Sequence, residues 1–253
     1  MTDLFADLPH VVFAGAGPGA ADHLTLAVLR ALQAAEVVVH DRLVGPEVLS
    51  LIPAAVRQIN VGKAGFGPFT PQADINALLV AEARRGLRVV RLKGGDCGIF
   101  GRLDEEIEAL ERAGIGHTLL PGLTAASVAA AAIGQSLTRR GRNAGLRIVT
   151  GHDMAGFAEQ DWRGMARPGE VTAIYMGKAS ARFLQGRLMM HGAAPATPVT
   201  LCENVSRVDQ RIVAATLSTL AEAAATLTGP AVILYGLVPR EAAALSLPQE
   251  AFA

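Results

Sequence analysis

The chain has 253 residues, 51% of them hydrophobic, with a mean hydropathy of +0.33 and a sequence pI near 7.0. Lys+Arg and Asp+Glu balance at 23 each, so the basic excess that a nucleic-acid surface needs is missing, although a local arginine cluster could still receive a polyanionic small molecule. The length suffices for one large or two modest domains with proper cores, and the two cysteines, Cys97 and Cys202, make neither a CxxC pair nor a disulfide framework.

The N-terminal stretch MTDLFADLPH carries acids and lacks an apolar run of signal-peptide length. Residues 118–137 are uncharged, but Pro121, Gly122 and Gly134 interrupt them and alanine dominates, so they read as a buried helix rather than a membrane span. The expectation is a cytoplasmic protein with no membrane and no nucleic-acid partner.

In chain order, apolar runs at 11–14, 36–39, 58–61, 88–92 and 117–120 predict short strands. Between them, 23–34, 72–85 and 104–113 show helical periodicity. Pro71 with Asp74, and Leu103 with Asp104, Glu105 and Glu106, mark helix starts, since acids favour the first turn. Strand alternating with helix implies a largely parallel sheet covered on both faces. After a helix near 124–133 come strands near 146–150, 171–176, 197–203, 210–216 and 231–235, with helices near 179–190 and 217–226. The turn-rich NVSRVD between 197–203 and 210–216 predicts an antiparallel hairpin, hence a mixed sheet. The expected fold class is α/β, with two α/β domains at 1–121 and 122–253 and a ligand cleft between them.

Several segments carry candidate chemistry. In FAGAGPGAADHLTL (13–26), Gly15, Gly17 and Ala20 satisfy G-x-G-x-x-A after a strand, with Asp41 ending the next strand, which is the dinucleotide template. Pro18 opposes that reading, because it removes a donor and loosens the turn where a helix should begin. A ligand-free turn is the other bland option. His40, Asp41 and Arg42 end a predicted strand, where groups of a parallel sheet face the ligand crevice; a surface Asp–Arg pair is the alternative. In VVRLKGGDCGIFGR (89–102) a strand runs into Gly94, Gly95 and Asp96, then Gly98, Phe100, Gly101 and Arg102. Thr124 and Ser127 lie in the first turn of a helix opened by Pro121 and Gly122, as an N-cap or as a ligand's approach to free N–H groups. Arg139, Arg140, Arg142 and Arg147 form either a solvated basic face or an anion site. Met176 ends a strand, as core or as a thioether suited to a sulfur-bearing ligand.

Taken in order, GAGPG, HDRLV, VGK, RLKGGD-x-x-IFGR-x-x-EE, PGLTAAS, LTRR, TGH, YMG and PAVILYG closely resemble the uroporphyrinogen-III C-methyltransferase family of tetrapyrrole methylases, from about Val11 to Gly236. The resemblance implies a homodimer that uses S-adenosylmethionine, releases S-adenosylhomocysteine, requires no metal, and methylates uroporphyrinogen III at C-2 and C-7 to give precorrin-2. It places Pro18, Gly94, Gly95, Asp96, Ile99, Thr124, Ala125, Met176, Val205 and Ala231 at the cofactor. Asp41 and Arg102 match catalytic positions facing the tetrapyrrole. Lys63, Arg139 and Arg140 match substrate-binding positions. Cys97-Gly98 stands where the family usually has Pro-Phe, Leu103-Asp104 where it has Gly-Gly, Ala64 where it has Arg, and Val205 where a glycine is expected. A relative methylating precorrin-2 at another carbon, a ribose methylase acting on RNA, an NAD-dependent dehydrogenase and a non-catalytic tetrapyrrole carrier are the rival readings.

Overall fold

The computed structural model describes residues 9–62, 70–152 and 156–240. The chain divides into two compact units, Met1–Ala125 and Ala126–Ala253, and the division falls in the first turn of a helix, α5 (Ala125–Ala132).

The first unit holds β1 (His10–Gly15), β2 (Val37–His40), β3 (Arg57–Asn60), β4 (Val89–Lys93) and β5 (Gly116–Leu120), all parallel, in the order β3-β2-β4-β1-β5. Its helices are α1 (Leu26–Ala34), α2 (Pro46–Ser50), α3 (Gln72–Arg84) and α4 (Leu103–Arg112). The near-continuous valine runs arise because both faces of this sheet are buried, and period-2 alternation then sends neighbours to opposite sides. Val12, Ala14, Val38, Val90 and Leu92 pack against Val28, Ala31 and Leu32 of α1 and Val48 of α2. Val11, Phe13, Val37, Val39 and Val89 pack against Ile75, Leu79 and Ala83 of α3 and Leu110 of α4. Each fully buried valine, leucine, isoleucine or phenylalanine among them contributes ~1.5–3 kcal/mol. Asp74 lies in the first turn of α3, and Asp104, Glu105 and Glu106 in that of α4, where the helix dipole favours negative charge.

The second unit carries β6 (Arg147–Thr150), β7 (Thr172–Tyr175), β8 (Pro198–Glu203), β9 (Arg211–Thr216) and β10 (Ala231–Tyr235), in the order β6-β7-β10-β8-β9. β6 and β7 are parallel and the other pairs antiparallel. This is the mixed sheet expected, with β8 and β9 as the hairpin. α6 (Trp162–Met165), α7 (Ala181–Met190) and α8 (Leu220–Ala225) complete it. Its core joins Ile174, Val199, Leu201, Ile233 and Tyr235 of the sheet to Leu184 and Leu188 of α7 and Leu220 and Ala224 of α8.

The departures from the sequence reading are short elements. α2 and α6 were not expected. The segment 217–226 is a 3-10 turn, Leu217–Thr219, closed by a reciprocal Thr216–Thr219 capping box, and only then α8. Among the described residues no helix is long and apolar enough to cross a membrane; the uncharged stretch 118–137 is divided between β5, a loop and α5.

Candidate functional site

The candidate ligand loops of the first unit leave the C-terminal ends of β1, β2, β4 and β5, which lie side by side. Three of them meet backbone to backbone. Gly17 and Gly95 form an antiparallel bridge, Gly95 N donating to Gly17 O at 2.8 Å and Gly17 N to Gly95 O at 3.1 Å. A Cβ on Gly122 would stand 2.4 Å from Gly95 O, and one on Gly15 would stand 2.5 Å from Gly122 N. No side chain fits there, so the glycines are a packing requirement. Asp96 locks the same junction: its Oδ1 accepts from Gly98 N at 2.8 Å and its Oδ2 from Gly122 N at 2.9 Å. Gly95 itself has φ +72 and nothing within 4 Å of where a Cβ would point. Bare backbone at Gly95 thus faces open space, and the same loops carry the half-buried Pro18, Ile99, Thr124 and Ala125.

This geometry decides against the dinucleotide template. After Gly17 (φ +68) and Pro18 the chain makes a 3-10 turn at Ala21–His23. α1 begins only at Leu26, capped by Thr25, whose Oγ1 accepts from Val28 N at 3.2 Å. No helix N-terminus follows the glycines, so the amide cluster that would hold a pyrophosphate is not formed.

Beneath the loops lies a cluster of charges that sequence reasoning did not find. Arg91 and Lys93 of β4 and Glu106 of α4 are 2%, 3% and 0% exposed. Arg91 Nη2 lies 2.6 Å from Asp41 Oδ1 and 3.1 Å from Glu106 Oε1, and Lys93 Nζ lies 2.8 Å from that same Glu106 oxygen. Burial alone would lower the pKa of the Arg91 guanidinium, but the facing carboxylates of Asp41 and Glu106 hold it above its ordinary value. For Lys93, burial and then the charge of Arg91 win, and the ammonium is pushed down. Asp41 follows β2, its N–H bonded to Leu92 O at 3.2 Å, and its side chain is 31% exposed.

Arg102 opens α4 from the left-handed region, at φ 53, and its guanidinium grips Glu105 with both prongs at 2.7 Å. Those bonds raise the Arg102 pKa and lower that of Glu105. The non-glycine residues with positive φ among the described residues are Phe100, Arg102, Met176, Asn204 and Ser206. All lie in candidate loops, and each such conformation costs ~1–3 kcal/mol.

In the second unit, Met176 is 51% exposed and therefore not core. Its neighbour Tyr175 accepts from Ala126 N at 2.9 Å through its hydroxyl, tying the end of β7 to the start of α5. Glu203, 1% exposed, accepts from the backbone N–H groups of Thr228 and Gly229 and from Arg211. Burial would raise its pKa, but the Gly229 and Thr228 N–H groups and Arg211 hold it below the usual carboxylate range. Lys178 Nζ donates to the carbonyls of Thr228 and Gly229 at 3.0 and 2.9 Å, so the approach to Ala231 is clamped from both sides. Ala231 is half-buried, and Val205 is buried, its side chain already packed.

The arginine run divides. Arg142 donates to Ser136 O and Asn143 Oδ1, and Arg147 pairs with Glu170 at 2.6 Å and Asp161 at 3.5 Å. Arg139 and Arg140 are exposed and line a concavity of about 680 Å³ in the 138–144 loop. Lys63 lies outside the described residues. Cys97 is buried, with Sγ 3.7 Å from Leu120 O, and burial raises its thiol pKa, so it packs rather than reacts. Among the described residues no group of three or more His, Cys, Asp or Glu side chains is placed to hold a metal ion.

A parallel sheet with ligand loops at its carboxyl edge, followed by a mixed sheet, is an architecture shared with known proteins. The chain belongs to the tetrapyrrole (corrin/porphyrin) methylases, whose family profile matches residues 10–221. It is similar to the uroporphyrinogen-III C-methyltransferase of Paracoccus denitrificans, with 47% identity over 98% of this chain and 87% of that protein. It is 45% identical to siroheme synthase 3 of Aeromonas hydrophila over 93% of this chain, and it spans about half the length of the siroheme synthases it matches. Among solved structures it resembles uroporphyrin-III C-methyl transferase from Thermus thermophilus complexed with S-adenyl homocysteine. That likeness has a TM-score of 0.76 and 35% identity, covering 90% of this chain and 97% of that one.

Proposed function

We propose that this protein is an S-adenosylmethionine-dependent C-methyltransferase that converts uroporphyrinogen III to precorrin-2 by methylation at C-2 and C-7, releasing S-adenosylhomocysteine. The observation that carries the reading is the bare backbone of Gly95, open to space in the loop after β4, on the same carboxyl edge of the sheet that carries Asp41 after β2, in a chain 47% identical to a protein named for this reaction. The residues fit the cofactor. Gly95 presents bare backbone to open space, Asp96 supplies negative charge, and Pro18, Ile99, Thr124 and Ala125 offer partly exposed surface on the same loops. On the second unit, Met176, Val205 and Ala231 are proposed as cofactor residues; packed as it is, Val205 would act through its backbone.

S-adenosylmethionine supplies a methyl group already activated as a sulfonium. The nucleophile is an electron-rich pyrrole carbon of the substrate, so no serine or cysteine attack is required. The protein's work is placement and exclusion of water, and orientation alone offers effective molarities of ~10⁵–10⁸ M. Asp41 orients the pyrrole N–H groups through the carboxylate oxygen that Arg91 does not occupy. Arg102 holds a substrate carboxylate, and Lys63, Arg139 and Arg140 receive others through bidentate or point-charge contacts. Local arginines, rather than net charge, would recognise the acidic macrocycle, consistent with a chain balanced at 23 charges of each sign. A cytoplasmic homodimer with neither nucleic-acid nor membrane partners belongs to the same proposal.

The test is incubation with uroporphyrinogen III and methyl-labelled S-adenosylmethionine. The expected result is two labelled methyl groups per macrocycle and growth of precorrin-2 absorbance. Tetrapyrrole binding without label incorporation would make the protein a carrier and overturn the reading.

A further inference from the structure

Arg91 and Glu106 are conspicuous because apolar residues would fill their places equally well. Arg91 lies on the face of β4 that otherwise packs Val11, Phe13, Val39, Leu79 and Leu110. Replacing a buried ion pair with well-packed hydrophobic residues is often neutral or stabilising, so stability alone does not account for these charges. Their geometry gives another reason.

Every donor of the Arg91 guanidinium is used. Nε reaches both oxygens of Glu106, at 3.3 and 3.2 Å. Nη1 reaches the carbonyls of Val39 and Leu92, each at 3.4 Å, and Nη2 reaches Glu106 Oε1 and Asp41 Oδ1. A planar fork bound on all sides has one orientation, and that orientation fixes Oδ1 of Asp41. Glu106 is held in turn by Lys93 and by Gln72 Nε2 at 3.1 Å. Charge balance completes the argument. Two buried cations face one buried carboxylate, and Asp41, the only partly exposed member, supplies the second negative charge. Among the described residues its Oδ2 accepts no hydrogen bond.

We infer that Glu106 and Arg91 form a buried positioning relay that fixes the orientation of the Asp41 carboxylate, with Oδ2 aimed at the substrate. Neither residue touches substrate; both act through Asp41. The inference rests on the proposed role of Asp41 in methyl transfer.

The test measures labelled-methyl turnover by E106Q, R91K and D41N and by the doubles E106Q/D41N and R91K/D41N, with S-adenosylhomocysteine affinity by calorimetry as a check of folding. Misplacement of a catalytic group by about 1 Å costs roughly 10²-fold. E106Q and R91K should therefore lose about 10- to 100-fold in kcat while KM and S-adenosylhomocysteine affinity stay within about threefold. In the D41N background neither should cause further loss, because coupled residues are non-additive. Unchanged kcat in folded E106Q and R91K, or losses that add fully to that of D41N, would overturn the relay. R91K preserves the buried charge count and keeps the question open to measurement should E106Q not fold. If the wild-type protein transfers no methyl group, the functional reading fails instead. Crystal structures of the two variants then decide the geometry: a displaced Asp41 carboxylate supports the relay, and an unmoved one refutes it.

Discussion

Arg102 and Glu105 form a two-pronged ion pair across the first turn of α4, with Nε–Oε1 and Nη2–Oε2 both at 2.7 Å. Both side chains are about half exposed, and surface pairs of this kind are worth ~0–1 kcal/mol. The pair therefore contributes little to folding and presents an oriented cation. Arg102→Ala should melt within about 2 °C of wild type, bind S-adenosylhomocysteine normally and lose methyl transfer; transfer at the wild-type rate would remove Arg102 from the site.

Met176 holds the left-handed conformation at φ 52 with half its surface in solvent. Glycine adopts that conformation freely, relieving about 1 kcal/mol or more. Met176→Gly is expected to melt no lower than wild type while its affinity for S-adenosylhomocysteine drops at least tenfold. Calorimetry showing undiminished affinity would place the thioether outside the cofactor site.

The glycine junction separates packing from ligand space. Gly122→Ala drives a methyl group to 2.4 Å from Gly95 O, where only backbone could yield, so it should cost ~1–3 kcal/mol and disorganise the loop. Gly95→Ala meets no atom and pays only the positive-φ penalty of ~1–2 kcal/mol, yet its methyl group enters the proposed cofactor space. The expected signature is a large loss of melting temperature in the first variant, and in the second a loss of binding out of proportion to stability. Equal binding losses at equal stability would refute the distinction.

Glu203 makes stability depend on pH in a predictable direction. Its folded pKa lies below the ordinary 4.5, so it binds fewer protons when folded than when unfolded. Its contribution is fully present above about pH 4.5 and is lost as pH falls from there through the folded value. In Glu203→Gln the deficit in melting temperature should be largest near neutrality and shrink below about pH 4.5. A deficit independent of pH would mean that the carboxylate charge is not what stabilises the 228–230 loop.

The strands were legible because burial on both faces of the first sheet leaves runs such as VVFA and VVRL that solvent-facing chains rarely carry, and because NVSRVD separates β8 from β9. α2 and α6 were not, since Pro46–Ser50 and Trp162–Met165 are too short to display a 3.6-residue period. At the candidate site, glycines and loop acids stood out locally. The Arg91–Glu106–Lys93 cluster did not, because Glu106 looks like one more acid at a helix start and Arg91 like a polar interruption in a strand. Their pairing spans fifteen residues of sequence and exists only once α4 covers β4. The arginine run misled in the opposite sense: Arg142 and Arg147 look the same in sequence as Arg139 and Arg140 but are spent on local contacts.

The strand order of the first unit also bears on synthesis. β1 is flanked by β4 and β5, so the first strand made has no neighbour to pair with until the chain has been extended through Lys93. Until then HVVFAG is an apolar segment with unpaired backbone, the kind of edge on which other chains can template. β8 and β9, by contrast, close on each other as soon as Thr216 has emerged. Among the described strands, β1 is thus the one whose backbone waits through the most synthesis before a partner strand exists.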